Sequence, residues 1–409
     1  MSASEALPAA PHDKLRHRLE LTAFALALGY ALFLLGCVFQ GYWLIDGARQ
    51  PIANDFVNVW AAGRLVLDGH AAAAYDWTLH REVEVAAVGH EFDGYYGWHY
   101  PPTFLFVAAA LATLPYLAAA LMWLALTLPA YVAAVRAIIG ERIGVLLACA
   151  FPGVVWNISA GQNGFLTAAL IGGMLASLPR RPIVAGVLLG LLTYKPQFGI
   201  LFPIVLLFDR NWRVLAAATA TAAMIVAASL ALGQESWRAF IEWMPVTSAA
   251  VFADGRAGLN KLQSLFGVVR WAGGGMTAAS VAQGLLVAGL ALALAKLWRA
   301  PVRYEIKAAA LAAASLLATP YLYIYDFPVL AIPLAFLLRI GLAEGFLPVE
   351  WPAVAAACGL ILAFPALAMP TGFAAAIIVA ALVARRAIAE LGSPAGARSN
   401  APLGKAVAA

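Results

Sequence analysis

The chain has 409 residues, of which 63% are hydrophobic and only 11% are charged. Soluble domains contain about half apolar and about a quarter charged residues, so this composition excludes a soluble protein and predicts an integral membrane protein. The formal net charge is +5, but the basic residues are scattered between apolar runs and form no patch typical of nucleic-acid binding. No nucleic-acid partner is therefore expected.

The first apolar run covers residues 21–44 and follows a polar, basic segment, residues 1–20. It is too long for the core of a signal peptide and has no small-residue cleavage pattern, so it predicts a transmembrane helix that is retained. Basic residues before the run place residues 1–20 in the cytoplasm and residues 46–100 outside, as the first outer loop.

The first outer loop is the most polar long segment of the chain. Apolar residues at helical spacing after Asp55 predict amphipathic helices on the membrane surface. The loop also contains four of the six histidines, spaced by about ten residues. Zinc motifs place histidines about one helical turn apart, so this spacing argues against a zinc site, and we expect the histidines to be polar residues at the protein surface. No cofactor is expected.

In two apolar regions the sequence does not determine the number of membrane crossings. Residues 102–135 fit a short helix, a turn at Pro115 and a second helix, or one long kinked span. Residues 182–208 are apolar except at their centre, Tyr194 to Gln197, which predicts two half-helices meeting at Lys195. A lysine at membrane depth is costly and therefore a functional candidate.

The remaining segments complete the predicted topology. Residues 233–275 form a second outer loop, residues 21–386 form the membrane domain, and residues 387–409 read as a disordered cytoplasmic tail. The fold class is an all-α polytopic membrane protein with about ten to twelve transmembrane helices. The abundance of Ala, Gly and Arg indicates a bacterial source, and hence the inner membrane. Cys37, Cys149 and Cys358 lie in apolar runs, where small buried hydrophobic residues are expected.

In this topology the polar candidates gather on the outer side of the membrane. One carboxylate, several cations and a lipid environment suit transfer of a group from a lipid phosphate to a hydroxyl, where a base removes the acceptor proton and cations and amides hold the departing phosphate. The candidates come from both outer loops, from two turns and from the broken helix. They are Asp55 as base, with Lys195, Gln162, Asn163, Arg256, Lys261, Tyr325, Asp326, Tyr100 and Trp60 for substrate binding.

An ordered set of motifs resembles glycosyltransferase family 87 of the GT-C superfamily, over residues 20–340. It comprises Asp55, Trp60-Ala61-Ala62, Gly69, Tyr75-Asp76, Tyr100-Pro101-Pro102, Gly161-Gln162-Asn163, Lys195-Pro196-Gln197 and Tyr325-Asp326. The second loop departs from the family pattern: a compact Asn-Gln-Ser is replaced by Asn260-Lys261-Leu262-Gln263-Ser264, which puts the roles of Asn260 and Gln263 in doubt.

The resemblance implies a GT-C-like bundle that transfers a sugar, commonly mannose, from a polyprenyl-phosphate donor to a lipid or glycan acceptor. Transfer would occur on the outer, periplasmic face, among membrane lipids and with inversion at the anomeric carbon. The first-loop aspartate of such enzymes is the proposed general base, and this role maps to Asp55. No Asp-X-Asp motif is present, which agrees with a lipid-linked donor that needs no metal bridge.

Each candidate also has a structural explanation. Asp55 could cap the helix that starts near Phe56, and Asp326 could begin a helix. Lys195 could pair with a carboxylate, and Gln162 with Asn163 could form only a turn between glycines. The tryptophans are typical of an interfacial belt, although Trp60 or Trp98 could stack on a sugar.

Two other classes of protein remain open. A transporter or lipid flippase also needs intramembrane polar residues and broken helices, and paired discontinuous helices in two similar halves would favour it. A non-catalytic assembly subunit would be indicated if Asp55 faced away from every cavity.

Overall fold

The structure is a computed structural model that describes residues 11–94, 96–255 and 258–392. Within these ranges the chain is α-helical with short 3-10 segments and a π-helical turn at Ala249–Ala253, and it contains no β-strand beyond two isolated bridges near Ile45. The fold is therefore that of an all-α polytopic membrane protein, as predicted.

The described residues form eighteen α-helices. The first nine are α1 (Pro11–Phe39), α2 (Phe56–Leu67), α3 (Trp77–Val88), α4 (Leu105–Ala112), α5 (Tyr116–Ile139), α6 (Ile143–Ala150), α7 (Gly153–Ala160), α8 (Gly164–Ser177) and α9 (Pro182–Leu191). The other nine are α10 (Leu201–Phe208), α11 (Trp212–Ser229), α12 (Gln234–Ser248), α13 (Leu265–Trp271), α14 (Met276–Arg299), α15 (Tyr304–Ala318), α16 (Ala331–Glu344), α17 (Glu350–Leu367) and α18 (Thr371–Gly392).

Seven helical segments of the described chain are long and apolar enough to cross a membrane, and the pair α6 and α7, bent by 62°, makes an eighth. Five shorter apolar helices accompany them. The expectation of ten to twelve crossings exceeds this number, because several apolar runs are divided by proline or glycine into helices shorter than a bilayer requires. The long spans are Lys14–Phe39, Tyr116–Ile139, Trp212–Leu232, Met276–Arg299, Ile324–Glu344, Glu350–Leu367 and Thr371–Gly392.

Residues 102–135 and 182–208, whose crossings the sequence did not determine, each form two α-helices. A 3-10 turn at Pro102–Phe104 leads into α4, which ends before Pro115, and α5 starts at Tyr116. Residues 182–208 form α9 and α10, separated by 3-10 turns on both sides of Lys195. Pro196 lacks an amide hydrogen and disfavours helical backbone in the residue before it, so the helix breaks at the lysine, as the sequence predicts.

The first and last helices extend beyond residues 21–386. The helix α1 begins at Pro11, inside the predicted cytoplasmic segment, because lysine and arginine are good helix formers and extend the apolar helix. The helix α18 continues to Gly392, so residues 387–392 are helical. The rest of the predicted tail, residues 393–409, lies outside the described residues.

The centre of the bundle is formed by α15 and α16, whose side chains are almost all buried, packed with α8 and α5. Outer helices such as α1 and α14 expose many large apolar side chains, including Phe24, Leu32 and Leu285. Exposed apolar faces of this size are expected where lipid is the solvent.

The helix α2 follows the predicted amphipathic pattern but lies inside the protein. Most of its residues are buried, and it packs closely on α4. Gly63 makes this approach possible, because an added Cβ would lie 2.0 Å from the carbonyl oxygen of Ala108. The helix that begins after Asp55 is therefore packed inside the domain. Its apolar face contacts α4, whereas the sequence predicted contact with the membrane surface.

Candidate functional site

Asp55 occupies the N-cap position of α2, but its side chain makes no capping hydrogen bond. The neighbouring Asn54 replaces it, since its side-chain oxygen accepts from the backbone N–H of Phe56 at 3.0 Å. The Asp55 carboxylate is therefore not used by its own helix, which argues against the capping interpretation.

The carboxylate of Asp55 instead binds Gln162, 107 residues later. Gln162 Nε2 donates to Asp55 Oδ2 at 3.1 Å, and Gln162 Oε1 accepts from the Tyr100 hydroxyl at 3.2 Å. The backbone carbonyl of Gln162 accepts from the indole N–H of Trp123 at 3.3 Å. These bonds fix the amide of Gln162 with its NH₂ group directed at the carboxylate, so the turn has a role beyond chain reversal.

The turn between α7 and α8 sits against α2 because of its glycines. Gly161 has φ +68°, and an added Cβ would lie 2.9 Å from Cβ of Phe56. An added Cβ on Gly164 would lie 2.1 Å from the carbonyl oxygen of Tyr325. Glycine on both sides thus allows the Gln162 segment to pack between the start of α2 and the turn before α16.

The surroundings of Asp55 raise the pKa of its carboxyl group to about 6. Burial is the main cause, because it disfavours the charged form, and the charge of Asp326 acts in the same direction. The hydrogen bond from Gln162 and the charges of Lys261 and Lys195 oppose the rise. A carboxylate with this pKa is ionised at neutral pH and is a stronger base than an exposed aspartate.

A second carboxylate is neutralised within the protein. Lys195 Nζ donates to Asp326 Oδ1 at 2.6 Å, and the side chains are 3% and 1% exposed. The other oxygen of Asp326 accepts from the backbone N–H of Tyr323 at 3.2 Å, which caps the 3-10 turn before α16. The helix-start and ion-pair interpretations of these residues therefore both hold.

A cavity of about 340 Å³ lies beside Gln162 and Lys195. Among the described residues that line it, Lys195 is the only lysine or arginine, and aromatic rings form much of the wall. Asp55 does not itself line the cavity, but its partner Gln162 does. The aromatic lining residues are Tyr75, Trp98, Tyr100, Tyr194, Phe240, Trp243, Phe252, Tyr321 and Tyr325.

The other predicted candidates differ in their position relative to the cavity. Tyr100 and Tyr325 line the cavity, and Asn163 is buried beside it, with its carbonyl accepting from Thr167. Lys261 is exposed and near enough to Asp55 to affect its pKa. Trp60 does not line the cavity, and its indole N–H donates to the carbonyl of Leu114 at 2.8 Å. Arg256 lies outside the described residues.

Gln263 has a structural role in this chain. It is fully buried, its side-chain NH₂ donates to the carbonyls of Asn260 and Lys261, and its oxygen accepts from the backbone N–H of Gly372 at 2.8 Å. Ser264 caps α13. The altered second-loop motif thus connects the loop to the start of α18.

Several cavity residues did not appear among the sequence candidates. Asn58 lines the cavity one turn after Asp55 on α2, and the i, i+3 spacing is the signal that could have identified it. His99 also lines the cavity, and burial lowers the pKa of its imidazole to about 4, so it is neutral at pH 7. His80 is fully buried. The surface explanation of the histidines is therefore wrong for these two.

Fold and site together define a polytopic membrane protein with a half-buried carboxylate next to an aromatic cavity. The model of glycosyltransferase family 87 matches residues 98–320, which is more than half of the chain, and the chain belongs to that family. Comparison with curated proteins and with solved structures yields no match. The protein is therefore a membrane glycosyltransferase, with a sugar donor and an acceptor as its substrates.

Proposed function

We propose that the protein transfers a hexosyl group, in particular mannosyl, from a polyprenyl-phosphate sugar to a hydroxyl of a lipid or glycan acceptor. The observation that carries the proposal is the hydrogen bond of 3.1 Å from Gln162 to Asp55, beside a cavity that contains Lys195. Gln162 thus bonds to the proposed base and also lines the cavity that contains Lys195.

Asp55 is the proposed general base. Its carboxylate takes the proton of the acceptor hydroxyl while the acceptor oxygen bonds to the anomeric carbon. The bond between that carbon and the phosphate oxygen breaks on the opposite face, and polyprenyl phosphate leaves with the electron pair. Attack opposite the leaving group inverts the anomeric configuration. A pKa of about 6 favours this proton transfer near neutral pH.

Lys195 is the proposed contact to the phosphate of the donor. The ammonium group has three N–H donors, so it can bind a phosphate oxygen while one hydrogen remains on Asp326. The aspartate also holds the lysine side chain in a fixed position, which reduces the entropy lost on binding. A buried cation at the cavity wall stabilises the negative charge that develops on the leaving phosphate.

The rest of the cavity suits a sugar. Aromatic rings such as Trp98 and Tyr325 offer apolar faces for the C–H face of a pyranose, and Asn58 and Gln162 offer amide groups for hydroxyls. A volume of about 340 Å³ lies at the lower end of small-molecule sites, which favours one sugar with its phosphate.

The distribution of basic residues supports a site on the outer, periplasmic face of a bacterial inner membrane. Arg180 and Arg181 follow α8, and Lys296 and Arg299 end α14, whereas Gln162 lies at the opposite end of α8. Basic residues prefer the cytoplasmic side, so the end of the bundle with Asp55 and Gln162 is expected outside.

The test is transfer by purified protein in lipid with a panel of polyprenyl-phosphate sugars and a glycolipid acceptor. We expect release of polyprenyl phosphate together with a glycosylated acceptor, whose anomeric configuration, measured by NMR, is opposite to that of the donor. Retained configuration would exclude the single displacement. Transfer from a nucleotide sugar alone would contradict the lipid-linked donor, and movement of the lipid across vesicles without product would favour a transporter.

A further inference from the structure

A second cavity, of about 480 Å³, lies between α1, α5, α6, α16 and α17. It shares no lining residue with the cavity beside Gln162. Its walls are almost entirely aliphatic, and α1 forms one side while packing mainly on α6. We call this cavity the α1–α17 groove.

The groove has the length of one leaflet of a bilayer. Along α17 its lining residues run from Trp351 to Leu362. Eleven helical steps of about 1.5 Å span about 16 Å, which is about half of the hydrocarbon thickness of a membrane. A linear chain of methylene groups would fill a groove of this length and polarity.

Gly359 leaves part of the groove open. A Cβ built on this glycine meets no atom within 4 Å, although the residue lies in the middle of α17. Its neighbour Cys358 also lines the groove. No neighbouring helix therefore packs against Gly359, whereas α4 packs directly against Gly63.

One end of the groove is basic. Arg18 lines it and is exposed, and among the described residues no carboxylate or hydrogen-bond partner is found for its guanidinium. Other arginines near this end are neutralised, since Arg16 pairs with Glu141 at 2.8 Å and Arg386 pairs with Glu350 at 2.5 Å. The unpaired charge lies at the mouth of an apolar groove, with Trp351 from the first turn of α17.

We propose that the α1–α17 groove binds an anionic glycerophospholipid, with one acyl chain along α17 and the phosphate at Arg18. Guanidinium binds phosphate in a bidentate manner, basic sites between transmembrane helices on the cytoplasmic side suit anionic headgroups, and tryptophan is typical of the interface where a headgroup meets the acyl region. This lipid does not react, and its site is independent of the proposed glycosyl transfer.

The first test is native mass spectrometry of the full-length protein in detergent, with phosphatidylglycerol or phosphatidylcholine added. Arg18→Gln should lower the fraction carrying phosphatidylglycerol about fivefold or more and change phosphatidylcholine little. Gly359→Leu should block both lipids, because its side chain enters the groove. Arg213→Gln, at an exposed arginine outside the groove, and Gly289→Leu, at an exposed helical glycine with nothing within 4 Å, are the matched controls.

Fluorescence quenching measures where the lipid binds. Phosphatidylglycerol with brominated acyl chains should quench the fluorescence of Trp351, measured as the difference between the wild type and Trp351→Phe. Gly359→Leu should remove this component, while circular dichroism stays unchanged.

The proposal is overturned if Arg18→Gln and Gly359→Leu bind phosphatidylglycerol like the wild type, or if phosphatidylcholine binds equally well. It is also overturned if Trp351 is not quenched, or if added polyprenyl phosphate displaces phosphatidylglycerol at equal concentration, since the groove would then prefer another lipid.

Discussion

Gln162 Nε2 and Asp55 Oδ2 lie 3.1 Å apart, and this hydrogen bond joins the turn before α8 to the start of α2. The same amide accepts from Tyr100 through its oxygen, so its orientation is fixed. The bond holds the carboxylate in place and lowers a pKa that burial raises. It is the contact on which the proposed mechanism depends most closely.

Replacing Gln162 with leucine should therefore shift the titration of Asp55 in a defined direction. Loss of the amide removes a hydrogen bond to the charged form, so the pKa of Asp55 should rise above about 6. We expect a fall in kcat/KM and an acid limb of the pH profile that moves to higher pH. Gln234→Leu, at an exposed position in the first turn of α12, is the control. An acid limb that stays in place would show that Gln162 does not act on the titrating group.

The wild-type pH profile gives a separate prediction. The base must be ionised, so kcat/KM should fall as pH decreases through about 6, with a slope of about one in logarithmic units. Circular dichroism at each pH separates this loss from unfolding. His99 is neutral above about pH 4, so His99→Gln should leave the position of the acid limb unchanged. A flat profile down to pH 5 would be incompatible with Asp55 as base.

Substitutions of Lys195 and Asp326 should affect thermal stability and donor binding differently. Lys195→Met leaves a buried carboxylate unpaired, which costs about 3–5 kcal/mol of unfolding free energy and should raise KM for the donor. Adding Asp326→Asn to this variant removes the unpaired charge and should restore most of the thermal stability.

KM for the donor should stay high in the double variant, because the cation is still missing. Arg64→Met, which breaks the exposed pair with Asp68, is the control and should change neither quantity much. If the double variant regains wild-type KM, Lys195 has only a structural role.

The close crossing of α2 and α4 can be tested at Gly63. An alanine there would place its Cβ 2.0 Å from the carbonyl oxygen of Ala108, so Gly63→Ala should destabilise the protein by about 1–3 kcal/mol. Transfer should also fall, because Asp55 begins the displaced helix. Gly284→Ala, in α14 with open space around it, should be neutral or slightly stabilising. Thermal unfolding of both variants measures the difference, and equal midpoints would disprove the close packing.

Much of the fold follows from local sequence. Pro196 after Lys195 breaks an apolar run at its centre, and the structure has two helices there. For residues 102–135 the sequence leaves two alternatives, and the structure has the one with a break at Pro115, between α4 and α5. Such breaks are visible in the sequence because proline acts on its own backbone and on the residue before it.

The environment of the candidate site depends on contacts that local sequence does not encode. The apolar stripe of α2 indicated a membrane-surface helix, but periodicity does not identify what covers an apolar face, and here it is α4. Lys195 and Asp326 are 131 residues apart, so neither position indicates its partner. The order of the motifs identified Asp55 as a candidate. That its side chain does not cap α2 could be seen only in the structure, where Asn54 accepts the hydrogen bond from Phe56 instead.

The most direct measurement is sugar transfer by Asp55→Asn. Asparagine keeps the shape of the side chain and an oxygen that can accept from Gln162, but it cannot take a proton. We predict wild-type thermal stability and donor binding with kcat at least about 100-fold lower, while Asp68→Asn, at an exposed aspartate that pairs with Arg64, remains active. Transfer by Asp55→Asn at a rate close to that of the wild type would contradict the assignment of Asp55 as the base.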